Sequence, residues 1–137
     1  MNNIEEGQKL LLDFKKLKKA ASNYENILPV VVQDAISMQV LILAYVSESA
    51  LEETIKTGIA TFWSTSRNEL WIKGDTSGQV LDVVEIRVNC EQNSLLFLVK
   101  VRNDGACHTK NEKGKYRFTC YYRSIKDGSL HFIKEYK

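Results

Sequence analysis

The sequence predicts an α+β fold, a mostly antiparallel sheet with one or two flanking helices, from three features of its patterning. Both helix-period segments precede Gly58, strand-length apolar runs fill most of the chain beyond it, and Gly, Asn and Asp turns separate those runs closely. Short links between successive strands suit hairpins, whereas alternating βαβ units would need a helix between each pair. With 137 residues, 44% apolar and 26% charged, the chain suffices for one domain with a modest core.

The first expected element is an amphipathic helix over about residues 4–21. Leu10, Phe14, Leu17 and Ala21 recur at helical spacing opposite Lys9, Lys15 and Lys19, a stripe suited to packing. Glu5, Glu6 and Asp13 dilute its basic side and argue against a membrane-surface helix. Pro29, the single proline, then opens strand runs at Val30-Val31-Val32 and Val40-Leu41-Ile42-Leu43 around a polar turn near Ser37. A second helix starts between Ser47 and Ser49, where Ser49-Ala50-Leu51-Glu52 has capping-box spacing, and stops at Gly58. Strands are expected thereafter at about 60–65, 69–73, 79–90, 94–102, 105–109, 116–123 and 129–135. Within 79–90, strict alternation puts Val80, Val84, Ile86 and Val88 on one face and carries Cys90 onto it, with Asn89, Glu91 and Asn93 opposite.

Charge and hydropathy exclude several roles. Nineteen basic residues against seventeen acidic ones give a net charge of +2, so no global field calls for nucleic acid, and the local run Lys110, Lys113, Lys115, Arg117 suits a solvated loop. No apolar stretch approaches the roughly 20 residues that span a bilayer, and Met1–Glu6 lacks the basic and apolar regions of a signal peptide, so the expected location is cytoplasmic. In a reducing cytosol Cys90, Cys107 and Cys120 stay thiols; by spacing alone they suit small buried hydrophobes better than metal ligands, a reading that His108 directly after Cys107 weakens.

The richest chemistry lies between Phe62 and Gly78. Ser64, Ser66, Thr76, Ser77 and the backbone of Gly74 and Gly78 can cradle a phosphate, Arg67 and Lys73 can neutralise it, and Trp63 or Trp71 can stack on a base. A solvated hairpin with Asn68-Glu69 at its tip would use many of the same residue types.

The order of these residues resembles the phosphoribosyl-AMP cyclohydrolase family of histidine biosynthesis. The likeness rests on Trp63-Ser64-x-Ser66-Arg67, Leu70-Trp71-x-Lys73-Gly74 and Thr76-Ser77-Gly78. It extends from Leu28-Pro29 and Gln33-Asp34 through Val40–Tyr45 and Ala60–Ser64 to Cys107-His108-Thr109 and Cys120-Tyr121-Tyr122-Arg123. The resemblance implies an N-terminal helical extension, 1–26, before a cyclohydrolase domain, 27–137. It also implies an intertwined homodimer in which zinc is held by Cys107 and Cys120 with Cys90 reaching across from the other chain.

The same resemblance implies further roles. His108 would act as general base, its ordinary pKa lying near neutrality. Trp63, Ser64, Ser66, Arg67, Trp71, Lys73, Gly74, Thr76, Ser77 and Gly78 would bind phosphoribosyl-AMP, whose adenine ring is opened at the N1–C6 bond. Where the family carries a D-C-D-x-D motif for magnesium, this chain reads Asn89-Cys90-Glu91-Gln92-Asn93, which keeps one of three carboxylates and implies a weak magnesium site. Thr65 stands where an arginine is common, and the longer step from Cys107 to Cys120 marks Lys110–Lys115 as an inserted loop that could cover the site or supply a lysine to a phosphate. The depleted motif also leaves open a zinc-stabilised nucleotide-binding module without turnover, or a zinc hydrolase for another purine nucleotide.

Overall fold

A computed structural model describes residues 3–22 and 26–137. The central sheet comprises β1 (Ile27–Asp34), β2 (Val40–Ser47), β5 (Leu81–Val88) and β6 (Leu95–Val101) in the order β2-β1-β6-β5. The hairpins β1–β2 and β5–β6 are antiparallel, while β1 and β6 run parallel at the centre. Two antiparallel ribbons complete the strands: β3 (Thr61–Ser64) with β4 (Glu69–Ile72), and β7 (Arg123–Lys126) with β8 (Ser129–Phe132). This is the α+β, mainly antiparallel architecture expected.

The core fills the space between one sheet face, the β3–β4 ribbon and α3 (Glu48–Thr57). Val30, Val32, Leu41, Leu81, Phe97 and Val99 point into it from the sheet, and Phe62 stacks on Phe97 with ring centroids 6.0 Å apart. Ser47 caps α3 by accepting from the Ala50 N–H at 3.1 Å, so the cap stands two residues before the expected Ser49 and needs no glutamate partner. Gly58 ends the helix in a left-handed conformation, φ 74°, as its sequence position predicts. The buried Thr54 hydroxyl donates to the Ala50 and Thr61 carbonyls and accepts the Thr61 N–H at 3.0 Å, tying α3 to β3.

Four expectations change. The helix expected over 4–21 divides into α1 (Asn3–Glu6) and α2 (Lys16–Ser22), because the carbonyls after α1 bond elsewhere: Gly7 accepts from Arg123 and Gln8 from the Leu130 N–H, both at 2.8 Å. Phe14 and Leu17 are left exposed, so that stripe covers no core among the described residues. In β5 a bulge at Val83/Glu85 breaks the alternation, and Leu81 and Val83, rather than Val80 and Val84, share the inner face with Ile86 and Val88. Segments 105–109 and 116–122 form no ladder; they hold each other through Ala106 N–H to Phe118 O and Cys107 N–H to Arg117 O, both 3.1 Å. Gly105 permits that approach, since a Cβ there would lie 2.1 Å from the Arg117 carbonyl oxygen.

Candidate active site

The site is built by three irregular segments meeting at one end of the β3–β4 ribbon. The first is the turn after β4, where Gly74 and Gly78 adopt φ 80° and 82° and the Gly78 N–H bonds the Gly74 carbonyl at 2.7 Å. The second and third are the Cys107 and Cys120 segments. Cys120 is seated against β2 by its N–H, which donates to Leu41 O at 2.8 Å, and its neighbour Thr119 donates from its hydroxyl to Val40 O at 2.8 Å. Between them lies a cleft of about 240 Å³ lined by Ile42, Arg67, Trp71, Lys73, Gly74, Thr76, Ser77, Ala106, His108 and Cys120. A second hollow of about 500 Å³ shares Arg67, Trp71 and Thr76 with it.

Cys107 and Cys120 stand side by side and share a hydrogen bond. The Cys120 thiol, assisted by the Thr109 hydroxyl 3.0 Å from Cys107 Sγ, holds the Cys107 pKa down to about 5, and the same bond together with burial pushes that of Cys120 up. The opposed shifts favour a single proton shared by the two sulfurs. Lys73 is only 3% exposed; burial lowers its pKa, the two thiols oppose that shift, and its ammonium sits 5.9 Å from the Trp71 ring centre. It is placed to balance thiolate charge.

Cys90 is exposed in the turn after β5 and lies outside this cleft. Among the described residues no three His, Cys, Asp or Glu side chains converge to hold a metal ion. The thiolate–thiol pair fits a soft divalent cation as half of a ligand set. The Asn89-x-Glu91-x-Asn93 turn does not fit magnesium: Asn89 Oδ1 accepts the Asn93 and Ser94 N–H groups at 2.9 Å, Asn93 Oδ1 accepts the Asn89 amide at 2.7 Å, and Glu91 is the turn's sole carboxylate.

Several expected binding residues stand apart from the cleft lining. Ser64 is buried and its hydroxyl accepts the Arg67 N–H at 3.2 Å, so it supports the turn that aims Arg67. Ser66 lies beside it, with the two hydroxyl oxygens 3.3 Å apart. Trp71 pairs with Phe62 across the ribbon and lines the cleft, whereas Trp63 pairs with Leu70 on the opposite face. Gly78 shapes the turn, and its carbonyl accepts from the Asn103 amide. The inserted loop folds back through Asn111 Oδ1, which accepts the Lys113 and Lys115 N–H groups, and its lysines do not line the cleft.

Sequence reasoning overlooked Ile42 and Ala106, whose apolar character gives no hint of a site. It also overlooked Glu5, whose Oε1 lies 2.7 Å from His108 Nε2 although 103 positions separate the two residues. His131 bonds Ser129 on β8, away from the cleft.

An imidazole, two neighbouring thiols and cationic side chains gather at one site on an α+β scaffold, an inventory compatible with hydrolysis. The family model of phosphoribosyl-AMP cyclohydrolase matches residues 42–122. A phosphoribosyl-AMP cyclohydrolase of Hyphomonas neptunium is 46% identical over 102 residues, 74% of this chain and 72% of that protein. One of Methanosarcina mazei is 46% identical over 121 residues, 88% of this chain and 90% of that one. The histidine biosynthesis bifunctional protein HisIE of Aquifex aeolicus is 37% identical over 112 residues, 82% of this chain and 52% of that protein. The chain belongs to the phosphoribosyl-AMP cyclohydrolase family, hydrolases of histidine biosynthesis.

Proposed function

We propose that the protein opens the adenine ring of 1-(5-phosphoribosyl)-AMP by adding water at C6 and breaking the N1–C6 bond, with zinc as its cofactor. The observation that carries this reading is the convergence of Arg67, Trp71, Lys73, Gly74, Thr76, Ser77, His108 and Cys120 on one cleft, with the buried Cys107 interacting with Cys120. The adjoining hollow that shares Arg67 and Trp71 gives room for a substrate with a phosphate at each end.

Arg67 and the hydroxyls and backbone N–H groups of Thr76 and Ser77 hold phosphate, the Trp71 ring packs beside the base, and His108 accepts the proton of the attacking water. The oxygen of that water stays on C6, and N1 gains a proton as its bond to C6 breaks. Zinc, when bound by Cys107, Cys120 and Cys90 of a second copy, supplies Lewis acidity at C6 and lowers the pKa of water. Cys90, exposed in the turn after β5, is accessible to a second copy, which supports a homodimer as the working unit; the cytoplasm is the proposed location. No step is assigned to magnesium.

The test is ring opening of phosphoribosyl-AMP followed by ultraviolet absorbance, with zinc and after chelation. Zinc-dependent turnover is expected. A folded, zinc-loaded dimer without turnover would favour a binding module, and turnover of a different purine nucleotide would reassign the substrate.

A further inference from the structure

Glu5 meets His108 through a segment fixed at several points. Residues 3–8 lie against the C-terminal ribbon: Tyr122 donates its hydroxyl to Glu5 O at 2.9 Å, Arg123 donates to Ile4 O at 2.7 Å and Gly7 O at 2.8 Å, and the Leu130 N–H reaches Gln8 O at 2.8 Å. Glu6 adds a two-pronged pair with Arg117, at 2.7 and 3.1 Å. The Glu5 backbone is thus held on both sides, and its carboxylate reaches His108 Nε2 without ordering a long free segment. An exposed ion pair between two mobile side chains contributes little because ordering both offsets the attraction; prior anchoring of one partner removes much of that cost.

We propose that Glu5, outside the family's matched region, is a positioning residue for the ring-opening reaction, holding the His108 imidazole in one orientation and one tautomer toward the cleft. A carboxylate only accepts, so Nε2 carries the hydrogen and Nδ1 keeps the lone pair that receives the proton from water. The inference rests on His108 as the base. In many hydrolases a carboxylate behind the histidine does this work, and its loss lowers turnover while leaving the substrate contacts intact. Here the carboxylate comes from the N-terminal segment, so a chain trimmed before residue 8 would keep the cleft residues and lose the orienting group.

The experiment compares Glu5→Ala, Glu5→Gln, Glu5→Asp and His108→Ala, with the double variant Glu5→Ala/His108→Ala, on the zinc-loaded protein. Expected are a ten- to hundredfold fall in kcat for Glu5→Ala and Glu5→Gln, KM within twofold of the parent, partial recovery in Glu5→Asp, and no further loss when Glu5→Ala is added to His108→Ala. The nitrogen NMR signals of His108, assigned by their loss in His108→Ala, should report the Nε2–H form in the parent and mixed tautomers in Glu5→Ala. Unchanged or raised kcat in Glu5→Ala beside an inactive His108→Ala overturns the positioning role alone and leaves the base in place. Full activity of His108→Ala overturns both. An equal loss from Glu5→Ala in the presence and absence of His108 makes the effect structural and also overturns the inference.

Discussion

Cys107 unites the electrostatics and the metal chemistry of the site. The neighbouring Cys120 thiol and the Thr109 hydroxyl both lower its pKa, which eases the proton loss that binding a cation requires. Cys107→Ser should abolish zinc binding, lowering affinity by at least about a hundredfold, more than the loss of an outer-shell partner brings. It should also weaken the dimer; elemental analysis with sedimentation checks both, and full zinc content in the variant would defeat the assignment. The residues that reach the cleft were legible where the chemistry is distinctive: Arg67, Lys73, Thr76, Ser77, His108 and Cys120 announce themselves by type and order. Ser64 and Trp63 did not separate from them, because a hydroxyl that binds phosphate and one that braces a turn look alike before the ribbon's register is known. Glu5 was illegible as a site residue, since nothing local links it to a histidine 103 positions away.

Between elements, the close approach of 105–107 to 117–118 decides where Cys107 lies relative to Cys120. Gly105→Ala would drive a Cβ to 2.1 Å from Arg117 O and 2.6 Å from Phe118 Cα, contacts with backbone that no rotamer change relieves. Prising the segments apart weakens two backbone hydrogen bonds and strains the packing, a loss of about 2–4 kcal/mol read as a lower denaturation midpoint, with zinc affinity falling alongside. Sequence patterning located β1 to β6 well because each is an apolar-rich or alternating run bounded by turn residues. It misread 105–109 and 116–122 as strands because their apolar residues face a thiol site and the β2 edge instead of a regular ladder. The single-helix expectation at the N-terminus failed for a related reason: periodicity could not reveal that Arg123 and β8 would capture the carbonyls of Gly7 and Gln8.

Across the whole molecule, the Arg117–Glu6 pair fastens the N-terminal segment to the rest of the fold. Arg117 is buried, stacks 4.4 Å from the Tyr122 ring centre, and by its hydrogen bonds holds the Glu6 pKa below its ordinary 4.5. A depressed carboxyl pKa stabilises the fold above the unfolded value and loses that contribution as pH falls through the folded one. Glu6→Gln should therefore cost about 1–2 kcal/mol near neutrality, after allowing for the partly exposed carboxylate, and the gap to the parent should narrow as pH falls below the ordinary 4.5 and through the lower folded value in acid titrations of stability. A constant gap from pH 7 to pH 3 would show that the charge contributes nothing. The parallel pairing of β1 with β6 joins residues as distant as Val30 and Leu95, and no turn can nucleate it. During synthesis the β1–β2 hairpin emerges first and must wait, its inner valines uncovered, until β6 leaves the ribosome. Residues 62–78 emerge in that interval, but Ala106, His108 and Cys120 follow β6, so the cleft is among the last parts of the molecule to take shape, and a chain stalled before Leu95 is a sticky hairpin with no site.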